Sequence, residues 1–239
     1  MQTIQEFIDR SDIKEIKDNH STGEIMSQDF FRDPLRPIYE DHDMFFASAD
    51  GIVLYALDSV KPKNFLEIKG KNFTLQDLMA DEDYNEESVV VGIFMTGYDV
   101  HVNRVPATSF YIGVRSTDYI YTHNISMLLA ENQLLESLNY NKNALAYLKS
   151  NERKISTFYA IEHKQRYYVV QVGDRDVDVI LNWGMSNCLS QGDRFGQIRF
   201  GSQCDLVIPK KKGYKYETIV KKLDHVEAGI DGVVRICHE

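Results

Sequence analysis

Residues 199–209 read RFGSQCDLVIP. The stretch sets a glycine and a serine between two runs of strand-like composition. Glycine weakens a strand unless the backbone must bend or be closely approached. The Gly201-Ser202 step therefore either turns a tight corner or is itself a peptide bond that reacts.

Working outward, the chain has 239 residues, enough for one large domain or two small ones. Hydrophobic residues make up 43% and charged residues 26%, the balance of a soluble globular protein. The net charge of -9 argues against a general nucleic-acid binder, which needs basic surface. Cys188, Cys204 and Cys237 are too few and too scattered for a disulfide framework or a zinc site, so no metal is expected and a reducing cytoplasm is the expected compartment. The N-terminus lacks a signal-peptide pattern, and no apolar run is long enough to span a bilayer.

No repeat, low-complexity stretch or Gly/Ser linker divides the chain. Ile4, Phe7, Ile8, Ile13 and Ile16 fall at helical spacing within the first twenty residues. The acidic charges among them suit packing on protein better than docking on an anionic membrane. After Asp33-Pro34 the composition turns to β. GIVLYALD (51–58), VVVGIFMT (89–96), SFYIGVRSTDYIYTH (109–123) and YYVVQVGDRDVDVILNW (167–183) read as strands separated by polar clusters. TLQDLMADED (74–83) and the leucine-rich 126–149 read as helices. The expected fold is one mostly-β (α+β) domain with peripheral helices.

Three polar stretches stand beside strands: SADG at 48–51, YDVHVNRVP at 98–106 and FGSQCD at 200–205. They supply Asp50, His101 and Ser202. A hydroxyl, a base to take its proton and a group that orients the base are what nucleophilic catalysis requires. The structural readings stand beside this: Asp50-Gly51 as a turn, His101 as a satisfied core histidine, Gly201-Ser202 as a strand corner.

The words around these residues resemble the phosphatidylserine decarboxylase family, especially its short form. FFRDPLRP (30–37), SADGIV (48–53), IFMTGYDVHVNRVP (93–106), NER (151–153) and GDRFGQIRFGSQCDLVIP (192–209) match its motifs in order. The resemblance implies a barrel-sandwich β-rich domain over residues 1–239 that cuts its own Gly201-Ser202 bond. The products would be a β chain, 1–201, and an α chain, 202–239, beginning with a covalent pyruvoyl group derived from Ser202. That group forms a Schiff base with the substrate amine and accepts the electrons left by carbon dioxide, so no diffusible cofactor is needed. Gly201 has no Cβ to obstruct attack, while Asp50 and His101 would orient and deprotonate the hydroxyl.

Three departures from the family pattern bear on the substrate. Arg104 stands where some relatives carry a second histidine. Gln203-Cys204 replaces an Arg-Val pair, which removes a phosphate or carboxylate contact. The segment around Asp178 replaces a stretch with paired arginines, and an acidic group there would suit an amine. Phe200, Gln203, Arg104 and Asp178 are the expected substrate-binding residues. Phosphatidylserine and a soluble amino acid or amino-acid derivative both stand as substrates. Lys210–Lys212 could meet a lipid headgroup in a peripheral membrane contact, and segment 126–149 could pack against a partner in a homo-oligomer. A Ser-His-Asp hydrolase or an inactive scaffold are the other function classes; both would keep the chain whole, and the serine lacks a G-x-S-x-G elbow.

Overall fold

The structure, a computed structural model, describes residues 1–39, 41–117, 124–175, 179–183, 187–199 and 202–238. The expected strand after Gly201 is β14 in the following order. The N-terminal part holds β1 (Gln2–Thr3), helices α1 (Ile4–Ile8), α2 (Ser11–Asn19) and α3 (Thr22–Ser27), then β2 (Met44–Phe46), β3 (Gly51–Val60), β4 (Leu66–Ile68) and β5 (Lys71–Phe73). Next come α4 (Leu75–Met79), β6 (Ser88–Met95), β7 (Val102–Arg104), β8 (Ser109–Ser116) and α5 (Leu128–Ser137). The remainder is β9 (Arg153–Ala160), β10 (Gln165–Gly173), β11 (Val179–Asn182), β12 (Cys188–Leu189), β13 (Arg194–Arg199), β14 (Ser202–Pro209), β15 (Tyr214–Thr218), β16 (Asp224–Val226) and β17 (Gly232–His238).

Nine strands form one sheet in the order β1-β16-β3-β6-β14-β10-β9-β8-β12. Two three-stranded sheets, β11-β13-β7 and β15-β17-β2, cover one of its faces. Strand β14 lies in the interior, antiparallel to β6 and β10, and all eight of its residues are buried. Side chains alternate across a strand. Cys204, Leu206 and Ile208 enter the core shared with the small sheets, and Val207 enters a second core beneath the helices. A continuous apolar run is what a strand buried on both faces requires, which is why VVVGIFMT and DLVIP read so clearly. The mostly-β expectation holds.

The helices differ from the expectation in extent. The N-terminal segment breaks into α1 and α2, and Ile4, Phe7, Ile13 and Ile16 are buried. Segment 74–83 is helical only to Met79, because Ala80 turns into the left-handed region at φ 46°. Segment 126–149 is two helices rather than one. Helix α5 ends at Leu138, with φ 51°, and tight 3-10 turns follow over Lys142–Lys149. Asparagines at 139 and 141 favour caps over helix interior, and the Asn141 side chain accepts from the Asn143 amide at 2.9 Å. The buried side chains of both pieces pack on the chain's own sheet. The run 167–183 is likewise two strands in two sheets, β10 and β11.

One glycine explains how polar groups lie across this sheet. Tyr55 on β3 and Asp205 on β14 both pair with Gly92 on β6, and the Tyr55 hydroxyl donates to the Asp205 carboxylate across it. A Cβ at residue 92 would lie 2.4 Å from the tyrosine ring and 2.7 Å from Asp205 Oδ1. Gly92→Ala should therefore cost about 1–3 kcal/mol by overpacking, read as a lower midpoint in urea unfolding. An unchanged midpoint would mean that the ring moves aside freely.

Candidate active site

Ser202 opens β14. It is fully buried, pairs in register with Met95 and Gly173, and its Oγ lies 3.2 Å from Met95 Sδ. Met95 ends β6, and the chain runs on through a turn at Thr96–Asp99 to His101 and β7. The Asn103 side-chain amide donates to the Ser48 carbonyl at 3.4 Å and approaches Met95 Sδ at 3.9 Å. Ser48 Oγ lies 3.3 Å from Cys204 Sγ. Gln171 Nε2 donates to Asn103 Oδ1 at 2.8 Å. Thus SADG, DVHVNR and GSQCD, far apart in sequence, meet through buried contacts on the face that carries Ser202. Asn103, which composition did not mark out, bridges them.

His101 is fully buried beside Phe30, with ring centroids 3.9 Å apart. Its Nδ1 lies 3.0 Å from the carbonyl of Asp99. A carbonyl only accepts, so Nδ1 carries the proton and Nε2 holds a free lone pair. That Nε2 is buried without a hydrogen-bond partner among the described residues. Burial pushes the His101 pKa down to about 4, against the opposing pull of Asp99. The side chain is therefore a neutral imidazole at pH 7 with one nitrogen open to accept a proton, as a general base requires.

Asp50 is placed differently from the triad expectation. Its carboxylate takes two bonds from Arg36, at 2.6 and 2.5 Å, and one from the Ala228 amide at 2.8 Å. Arg36 also donates to the Ala228 carbonyl at 2.7 Å. No hydrogen bond joins Asp50, His101 and Ser202 to one another. Asp50 instead fastens FFRDPLRP to the C-terminal loop. Gly51, at φ 149°, lets the strand begin against β6: a Cβ there would lie 2.1 Å from the Phe94 carbonyl oxygen.

Of the expected substrate-binding residues that are described, Arg104 and Gln203 do not meet at Ser202. Arg104 donates to the Gly192 carbonyl and to Asp33, both at 3.0 Å, and Asp33 also holds Arg194. Its guanidinium links the FFRDP and GDRFG motifs. Gln203 points to the opposite sheet face from Ser202, because adjacent strand residues alternate. There it donates to Tyr55 at 2.6 Å and to both Asp205 oxygens, and accepts from Tyr147 at 2.5 Å. Phe200, Gly201 and Asp178 lie outside the described residues.

Sequence reasoning missed a second buried group. His225 Nε2 lies 2.7 Å from Asp99 Oδ1, with both side chains 1% exposed. Asp99 lay inside a recognised motif, but nothing local marked a partner 126 residues away. A cavity of about 340 Å³ opens beside this pair, lined by Arg10, Arg32, Arg36, Asp50, Asp99 and His225 among others. Arg10 and Arg36 are paired with carboxylates. Arg32 donates only to the carbonyls of Asp29 and Tyr98 among the described residues.

The phosphatidylserine decarboxylase family profile matches residues 25–231. A protein of Methanothermobacter thermautotrophicus named as an archaetidylserine decarboxylase proenzyme is 29% identical over 207 residues, covering 86% of this chain and 78% of its own length. A phosphatidylserine decarboxylase proenzyme of Chlorobium limicola is 30% identical over 208 residues, covering 86% and 77%. A proenzyme of the same name from Ehrlichia chaffeensis is 28% identical over 180 residues, 75% of this chain and 64% of its own length. The match to that relative spans a little under two thirds of it.

The buried imidazole has a consequence for stability. Its pKa falls from 6.5 to about 4 on folding, so between those values the unfolded chain binds a proton that the folded chain does not. The contribution is complete above about pH 6.5 and is lost as pH falls towards 4, at a cost approaching about 3 kcal/mol. Urea unfolding at pH 7 and pH 4.5 should show a smaller acid loss for His101→Asn than for the parent. Equal losses would assign the titration to another group.

Proposed function

The chain belongs to the phosphatidylserine decarboxylase family, and from that premise we propose that it is a pyruvoyl-dependent decarboxylase that matures by cutting itself between Gly201 and Ser202. The observation that carries the reading is the open Nε2 of His101, two residues from Asn103, whose side chain joins the Ser48 carbonyl to the Met95 side chain beside Ser202. A core histidine kept for packing alone would leave a lone pair desolvated at a cost of about 1–3 kcal/mol.

Maturation follows from these groups. His101 Nε2 takes the proton of Ser202 Oγ as that oxygen attacks the carbonyl carbon of Gly201. The Gly201–Ser202 C–N bond breaks, the proton passes to the departing nitrogen, and an ester replaces the amide. Removal of the Ser202 α-proton then expels the Gly201 carboxylate and leaves a dehydroalanine. One water molecule is consumed and one ammonia released as that residue becomes a ketone. The β chain would be 1–201 and the α chain 202–239. Ser202 suits this role because β14 is held on both edges from Ser202 to Val207, so a new chain end at residue 202 stays in register.

The pyruvoyl group, once formed, supplies a ketone that condenses with an amine and an adjacent carbonyl that accepts the electrons released with carbon dioxide. The protein's own residues do the rest. Burial of Ser202 keeps water from the reacting carbon, and His101 is the group we assign to return a proton to it. We assign the substrate as a serine phospholipid, in line with the names of the relatives. Arg32, without a described carboxylate partner, is a contact for the anionic headgroup. Leu35, which lines the same cavity, is 94% exposed and Ile38 73% exposed, so an apolar rim stands ready for acyl chains. Among the described residues, no helix is long and apolar enough to cross a membrane. The lysine run after the site is partly engaged within the protein: Lys210 pairs with Glu87, and Lys211 lies over Tyr214.

Intact mass under denaturing conditions should show two chains, with the shorter one beginning at residue 202 and gaining the mass of phenylhydrazine less one water after treatment. Ser202→Ala should remain a single chain without activity, because the nucleophile is gone. A cut Ser202→Ala chain, or full activity after phenylhydrazine, would refute the proposal.

Substrate class is tested by carbon dioxide release from phosphatidylserine in detergent micelles beside free amino acids. Arg32→Ala should raise the apparent KM for the lipid by about ten-fold, the worth of one charge-assisted contact. Turnover of free amino acids alone would reassign the substrate to the soluble class.

A further inference from the structure

We infer that His225, on the C-terminal side of the proposed cut, is a positioning residue for His101 and acts through Asp99. The inference rests on the reading of His101 as the acid–base group and adds to it what sets the orientation of that group.

The chain of contacts is continuous. The Gln2 side-chain amide lies 3.2 Å from His225 Nδ1. With that amide donating, His225 Nε2 carries the proton and donates it to Asp99 Oδ1 at 2.7 Å. The second carboxylate oxygen of Asp99 accepts from the Thr96 amide at 2.8 Å and the Thr96 hydroxyl at 2.7 Å. The Asp99 amide donates to the Thr96 carbonyl at 3.0 Å, closing the turn. Both carboxylate oxygens and the amide of Asp99 are thereby fixed, and so is the direction of its carbonyl. That carbonyl holds His101 Nδ1–H and leaves Nε2 open. His225 is set just as firmly. Phe7 stacks on its ring at 3.8 Å and 10°, and its backbone lies between β1 and β3, paired with Gln2 and Ile52.

Two features separate this from ordinary packing. A histidine buried only to fill space needs no carboxylate, whereas Asp99 is a buried acid that would be left short of a donor without His225. The pair also spans the proposed scission. Asp99 and His101 would belong to the β chain, while His225 would leave with the α chain, which also carries Ser202. The segment that supplies the reacting group therefore also supplies the group that aims the base at it.

The test compares His225→Gln, which keeps a donor within reach of Asp99, with His225→Phe, which keeps the ring and its stacking on Phe7 but cannot donate. Self-cleavage is followed by mass over time. His225→Phe should cleave slower by at least about ten-fold, as expected for a misaimed base, with His225→Gln closer to the parent. In an uncut Ser202→Ala background, nitrogen NMR of the imidazoles should show His101 protonated at Nδ1. Its signals are assigned by their absence in His101→Ala. Adding His225→Phe should mix the two tautomers, and adding His225→Gln should not. If His225→Phe cleaves as fast as His225→Gln or faster and the His101 tautomer is unmoved, His225 serves packing alone and the inference fails. If His101→Ala itself cleaves normally, the failure belongs to the assignment of His101 as the base.

Discussion

The interior position of β14 is the constraint on which the rest of the molecule depends. Its eight residues pair with β6 on one edge and six of them, Ser202–Val207, with β10 on the other, with a core on each face. An interior strand cannot slip by one residue without turning every side chain to the wrong face. Register here is therefore strongly specified, and with it the depth and direction of Ser202. An edge strand beginning at the same serine would fray at its end.

The two faces of β14 divide the work. Ser202 and Cys204 look towards the motifs that carry His101 and Asn103. Gln203 and Asp205 look the other way into a buried polar cluster with Tyr55 and Tyr147. Burial pushes the Asp205 pKa up to about 7, while bonds from Tyr55 and Gln203 and the charge of Arg153 oppose the rise. A buried cluster of this kind is stable only when its donors and acceptors are matched. Besides the Gln203–Asp205 bonds within β14, the partners Tyr55 and Tyr147 come from segments before residue 201. The polar face thus anchors the strand laterally while the other face carries Ser202.

The legible parts of the sequence were those encoded locally. Strands such as β6 and β14 declare themselves by apolar composition, and the start of α4 falls where the run beginning at Thr74 was read as helix. Helix ends were less legible because Ala80 and Leu138 adopt left-handed geometry that neither residue advertises. At the site, Ser202 and His101 were visible because their motifs are contiguous. The partners of Asp50 and Asp99 were not, since Arg36, Ala228 and His225 reach them only through the tertiary fold. Gln203 stands where the family pattern has an arginine, and strand alternation sends its side chain to the face opposite Ser202.

These long-range partners share a pattern. Asp33 joins the N-terminal segment to Arg104 and Arg194, and Asp50 with Arg36 joins it to the loop at Ala228. Asp99 joins the His101 turn to β16 through His225. Each link involves a charge buried or partly buried, and breaking one such pair costs far more than its net contribution to stability. The surroundings of His101 are therefore built from both ends of the chain closing on its middle. Neither the segment around residue 33 nor the one around residue 225 can be absent while that arrangement persists. An imidazole whose free nitrogen is buried without a partner among the described residues is tolerable only inside such an over-determined frame.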